Sequence, residues 1–132
     1  TAVVLTHSPT GIRAEASERR SQAENRSVAL IRLRLALAQQ IRCEVELGTK
    51  PSELWRSRSA GRRLNISDEH WDYPALLAEA LDRVVAHEFD LAAAASALQV
   101  STTQLARFLQ QSPESWKWVN DERRIRNLRP LR

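Results

Sequence analysis

The side chains best suited to chemistry in this chain are arginines, and the chemistry they suit is the binding of phosphate. Their distribution is uneven. Residues 1–48 hold seven Arg against five Glu, and residues 49–64 hold Lys50, Arg56, Arg58, Arg62 and Arg63 against Glu53 alone. Residues 65–132 hold eight basic against ten acidic side chains, yet five of those eight are the arginines of residues 123–132. The net charge of +4 therefore sits at the first helix, in the middle and at the end, a pattern that favours a polyanionic partner such as nucleic acid. Other chemistries lack their residues. His7, His70 and His87 have no Cys or His at ligand spacing, and Cys43 is alone, so neither a zinc site nor a disulfide framework is expected. No Gly-rich phosphate loop or Ser-His-Asp relay is visible, and Asp121-Glu122 are neighbours that face apart on a helix. No catalytic residue, metal or small-molecule cofactor is assigned.

A second candidate constellation is Ala94-x-x-x-Leu98-Gln99-Val100-Ser101-x-x-x-Leu105-x-Arg107-x-Leu109. It looks like a helix-turn-helix, in which Thr102, Thr103, Gln104 and Arg107 would be presented to a groove. Gln99 stands where the turn usually has Gly, and the surrounding region is slightly acidic. Since phosphate contacts dominate affinity for DNA, plain helix packing is the preferred reading and Arg107 is expected to contribute little. For the arginine-rich tail two readings stand side by side: a capped helix end whose charge complements the macrodipole, or, with Trp116 and Trp118, a contact to RNA.

The elements that must position these groups are legible from patterning. Val3-Val4-Leu5-Thr6 is apolar and β-branched, Ser8-Pro9-Thr10-Gly11 is turn chemistry, and Ile12-Arg13-Ala14-Glu15-Ala16 alternates apolar with charged residues, which together predict a hairpin. Ser21-x-x-Glu24 fits a capping box. Val28, Ile31, Leu35 and Ala38, widened by Leu30, Leu33, Leu37 and Ile41, extend a predicted helix from about Ser21 to Glu46, with Gly48 as its stop. Residues 49–70 mix Pro, Gly, Ser and Arg and read as a basic linker partly anchored by Leu54, Trp55, Leu64 and Ile66; trypsin would cut there first. Four helices follow, opened by Asp72-Tyr73-Pro74, Asp90, Ser101 and Ser112-Pro113, with an exit through Asn127 before Pro130.

Thr6-His7-Ser8-Pro9-Thr10-Gly11-Ile12 followed by Glu18-Arg19-Arg20-Ser21-Gln22-Ala23-Glu24-Asn25 resembles the second half of the peptidyl-tRNA hydrolase domain of class I peptide chain release factors. The likeness begins at Ala2-Val3, fades after about Leu37 and covers the first third of the chain. In that family the T-H-x-P-T-G-I strand comes a few residues after a Gly-Gly-Gln loop, which would here lie upstream of Thr1. The resemblance implies that the loop assists water attack on the peptidyl-tRNA ester, and that Arg19, Arg20, Ser21, Gln22, Asn25 and Arg26 support it and face ribosomal RNA. Arg19-Arg20 departs from the single Arg of many members. His7, in the family's Thr-His step, reads as a hydrogen-bonding residue of the turn.

The combined expectation is an α+β chain. Residues 1–48 form a hairpin plus long helix as a partial release-factor domain; residues 49–70 form a basic linker. Residues 71–132 form an all-α bundle with a helix-turn-helix-like element. Nothing after residue 48 resembles a stop-codon reader, so the expected activity of a full-length parent is translation termination or codon-independent ribosome rescue. The expected partners are the large ribosomal subunit, its RNA and peptidyl-tRNA. The RNA-binding set is Arg19, Arg20, Ser21, Gln22, Asn25, Arg26, Lys50, Arg56, Arg58, Arg62 and Arg63. A cytoplasmic monomer with no membrane span is expected. The alternative is a nucleic-acid-binding regulator built on the helix-turn-helix.

Overall fold

A computed structural model describes residues 1–132. The chain is α+β and divides into two units, Thr1–Ile41 and Arg42–Arg132. No helix is long and apolar enough to cross a membrane.

The first unit is the expected hairpin laid on a helix. Strands β1 (Val3–Thr6) and β2 (Arg13–Ala16) pair antiparallel in the register Val3↔Ala16, Val4↔Glu15, Leu5↔Ala14 and Thr6↔Arg13. Alternation puts Val3, Leu5, Ala14 and Ala16 on the covered face, as a two-residue period requires. The loop is closed by hydrogen bonds from the Gly11 N–H to the His7 carbonyl (2.7 Å) and from the His7 N–H to the Ile12 carbonyl (2.8 Å). His7 Nδ1 lies 2.8 Å from Thr10 Oγ1, so its ring belongs to the turn. Gly11 has φ +73°, where a Cβ would be strained.

Helix α1 (Gln22–Gln40) is capped by Ser21, whose Oγ accepts from the Glu24 N–H at 3.1 Å. Two features differ from the sequence expectation. The buried face is Asn25, Ala29 and Leu33, spaced by four, while Ile31 is 53% and Leu30 40% exposed; the small Ala29 side chain lets the strands approach. The helix also stops at Gln40 rather than Glu46. Tertiary bonds take the next residues: Arg42 pairs with Asp82 at 3.0 Å, and the Cys43 N–H donates to the Asp82 carboxylate at 3.1 Å. These half-buried partners are desolvated, which pushes the Asp82 carboxyl up and the Arg42 guanidinium down from their ordinary values despite the pairing. Gly48, with φ +90°, serves a turn closed by the Thr49 N–H on the Glu46 carbonyl (3.2 Å), not a helix end.

The second unit contains α2 (Glu53–Arg58), a 3-10 turn at Ala60–Arg62, α3 (Tyr73–Ala86), α4 (Leu91–Ala97), α5 (Thr102–Gln110) and α6 (Pro113–Ile125). Asp90, Ser101 and Ser112 each accept an N–H at their helix starts, as expected. Asp72 does not; its carboxylate instead takes Arg58 at 3.1 Å. The core is built from Tyr73, Leu76, Leu77, Leu81, Val84, Leu98, Val100, Leu105, Phe108, Leu109 and Val119, all at most 2% exposed, joined by Trp55 from α2 at 0%.

The boundaries therefore differ from the expected division at residues 48 and 70. Residues 49–70 are folded into the second unit. Arg83 donates to the Thr49 carbonyl at 2.6 Å, the Ser52 N–H to Glu79 at 2.8 Å and the Asn65 N–H to the Arg58 carbonyl at 3.1 Å. Gln111 donates to the Ile66 carbonyl at 3.3 Å. The composition looked like a linker because each polar side chain has a specific partner that only the fold supplies.

Candidate nucleic-acid interface

In the first unit the candidate residues gather where β2 passes into α1. Asn25 organises this junction. It is fully buried, and its amide makes every contact its geometry allows from there: Nδ2 donates to the Thr1 carbonyl (2.8 Å) and the Arg19 carbonyl (3.1 Å), and Oδ1 accepts from the Arg19 N–H (2.9 Å). A bond in both directions to one residue fixes the path of residues 17–21, which carry exposed Arg19 and Arg20. Gln22 and Arg26, one helical turn apart, are exposed beside them and line, with Val3 and Ala23, an open concavity of about 400 Å³. Asn25 differs from its expected role: a buried amide cannot reach RNA, and it positions the residues that can. Ser21 likewise spends its oxygen on the helix cap.

A second tie steadies the same junction. Arg32 donates to the Glu15 carbonyl at 2.8 Å and forms a two-pronged pair with Glu18. The Arg32 hydrogen bond, then the Ser17 N–H, hold the Glu18 carboxyl at about 2. Because the folded value is depressed, the contribution to stability is present above the ordinary carboxylate pKa of about 4.3 and is lost as pH falls towards 2. Arg32→Ala is therefore expected to return the Glu18 midpoint towards its ordinary value, as followed by carboxyl carbon NMR; an unmoved midpoint would mean the pair is not formed in solution.

The basic residues of the expected linker lie in the second unit and are not equivalent. Arg58 is half-buried and occupied by Asp72 and by His70 Nε2 (3.2 Å), so it is a structural cation. Arg62 donates to the Val100 carbonyl at 3.3 Å, and its own carbonyl accepts the Ser101 N–H at 3.0 Å. Lys50, Arg56 and Arg63 are exposed and make no side-chain hydrogen bond or ion pair. The candidate set thus divides between the two units, and only part of it is free to meet a phosphate.

The α4–α5 pair has the local geometry of a helix-turn-helix. Gln99 adopts φ +61°, the left-handed conformation that Gly usually supplies in that turn. The Gln104 side chain, expected among the presented groups, instead accepts the Leu64 N–H at 3.3 Å. Thr102, Thr103 and Arg107 are exposed. The tail arginines are mostly used internally: Arg126 lies 4.3 Å over the Phe89 ring and pairs with Glu122, Arg124 pairs with Asp121, and Arg123 donates to the Arg129 carbonyl at 2.8 Å. Sequence reasoning missed the anchoring of this tail, which no periodicity announces.

No group of acidic, His or Cys side chains is arranged to hold a metal ion. Compared with protein-family models, curated proteins and solved structures, the chain finds no match.

Proposed function

We propose that the chain is part of a release-factor-like protein that acts on the ribosome in translation termination or rescue, its first unit being the second half of a peptidyl-tRNA hydrolase domain. The observation that carries this reading is the Asn25 latch, which holds Arg19-Arg20 rigidly at the start of α1 with Gln22 and Arg26 exposed beside them. A preorganised basic edge of this kind suits ribosomal RNA phosphates, because little conformational freedom is lost when it docks. The residues proposed to touch RNA are Arg19, Arg20, Gln22 and Arg26. Asn25 and Ser21 position them. The protein acts as a cytoplasmic monomer on the large ribosomal subunit, with peptidyl-tRNA as substrate.

Water attack on the ester needs donors placed where charge develops in the transition state. The resemblance assigns these to a Gly-Gly-Gln loop ahead of Thr1, so the 132-residue chain is expected to release no peptide. The test measures peptide release from ribosomes loaded with peptidyl-tRNA, using this chain and the same chain extended at its N-terminus by such a loop. Release only by the extended form, without need of a stop codon, is expected. Equal release by the short form would overturn the assignment of the chemistry to the loop. Failure of Arg19→Ala, Arg20→Ala and Arg26→Ala in combination to weaken binding to large subunits would remove the proposed contact. The alternative of a helix-turn-helix regulator is favoured by the left-handed Gln99 turn and predicts sequence-selective binding of duplex DNA.

A further inference from the structure

In a DNA-reading helix-turn-helix the second helix is a ridge that enters a major groove about 12 Å wide. The outer face of α5 is not such a ridge. Residues 128–132 fold back along α6: the Leu131 N–H donates to Asn120 Oδ1 at 2.6 Å, and Asn120 Nδ2 donates to the Leu131 carbonyl at 3.4 Å. Held there, Leu131 and Arg132 line one concavity of about 300 Å³ together with Thr102, Thr103, Arg107 and Gln110 of α5. A tail in this position obstructs insertion of the helix into a duplex groove.

The same concavity is chemically prepared for an anion. It contains no carboxylate side chain, and two guanidiniums, Arg107 and Arg132, line it. Neither is spent on the fold, and the hydroxyls of Thr102 and Thr103 and the amide of Gln110 make no intramolecular hydrogen bond. A third free cation is added from far away in sequence. Arg63 lies between Arg62, whose carbonyl accepts the Ser101 N–H, and Leu64, whose N–H donates to Gln104, so it runs beside the first turn of α5.

We propose that this α5–tail face of the second unit binds single-stranded RNA through its phosphates. A concave basic track follows a flexible strand, whereas a duplex groove demands a projecting helix. No aromatic side chain lines the concavity, so bases gain no stacking platform and little sequence preference results. The small Ala106 at the centre of the α5 face leaves room for a backbone rather than reaching for base edges. This surface is independent of the basic edge in the first unit, and it gives Arg107 a role that the charge count of residues 65–132 alone denied it.

The test titrates the full chain with fluorescein-labelled oligouridylate and, separately, with a random DNA duplex, at several salt concentrations. Replacing Arg63, Arg107 and Arg132 by Ala together is expected to weaken RNA binding severalfold. It should flatten the slope of log affinity against log salt by about two, three contacts at roughly 0.7 each. Substitution of the same three by Lys keeps the charge and most of the affinity. Asn120→Ala, which frees the tail, should lower RNA binding without creating duplex binding. Tighter duplex binding by Asn120→Ala would show instead that the tail masks a DNA-reading helix. RNA binding lost with Arg19, Arg20 and Arg26 but indifferent to the α5 variants would overturn this proposal and leave the ribosomal reading standing. Loss with the α5 variants alone would do the reverse.

Discussion

Asn25→Ala will unfold the first unit and leave the second intact. The substitution removes an amide that satisfies the Thr1 carbonyl and both backbone groups of Arg19 from a site with no exposure. Each backbone group stranded in a buried site costs about 1–3 kcal/mol, so the loss is about 3 kcal/mol or more before any cavity is counted. The unit can ill tolerate this. It is a two-stranded hairpin on one helix, and its buried apolar residues are only Ala16, Ala29, Leu33 and Ala38, an assembly near the lower limit of independent stability. Asn25→Asp should be nearly as damaging, because a carboxylate cannot donate to the two carbonyls. Amide hydrogen exchange read residue by residue checks the result: protection should vanish in residues 3–40 and persist in α3 to α6. Retained protection of β1 and β2 in the Ala variant would show that the latch is dispensable.

Trp55→Ala is expected to have the largest effect on the second unit. The indole is fully buried, donates from Nε1 to the Leu98 carbonyl at 2.8 Å and meets the Phe108 ring edge-on at 5.8 Å. Truncation removes a large apolar body, leaves a cavity and strands a buried carbonyl, at a cost of about 3–5 kcal/mol. The Leu98 carbonyl belongs to the turn between α4 and α5, so the damage reaches the proposed RNA surface. Trp55→Phe keeps most of the volume but not the donor and should fall between. Thermal unfolding followed by circular dichroism measures the cost, and trypsin reports its location. In the native chain Arg56, Arg58 and Arg62 lie in or beside α2, with Arg58 and Arg62 bonded to Asp72 and Val100, so cleavage there should be slow. In the Ala variant it should become rapid. Equal rates in both would mean that residues 53–62 are not docked in solution.

These two residues also mark the limits of reading this chain locally. The hairpin was determined by Val3–Thr6, the Pro9–Gly11 turn chemistry and the alternation of Arg13–Ala16, because strand and turn preferences act over a few residues. The starts of α4, α5 and α6 were determined by Asp90, Ser101 and Ser112 for the same reason: a cap bonds an N–H three residues on. The left-handed exit at Asn127, with φ +60°, was likewise legible.

What only the tertiary structure decided is whatever depends on partners distant along the chain. Asn25 read as a surface residue of a helix start, and its burial follows from the Thr1 carbonyl, 24 residues away. The end of α1 was fixed by Asp82 drawing on Arg42 and Cys43, not by the residues that precede Gly48. Residues 49–70 carry the composition of a linker, and they are folded because Glu79, Arg83, Leu98 and Gln104 supply what their polar groups and Trp55 require. The charge count of residues 65–132 failed at α5 for the same reason, since Arg63 and Arg132 reach that helix from outside the motif. Local propensity sets where elements begin, but hydrogen-bond satisfaction and burial are settled between elements, and no window along the sequence contains both sides of those contacts.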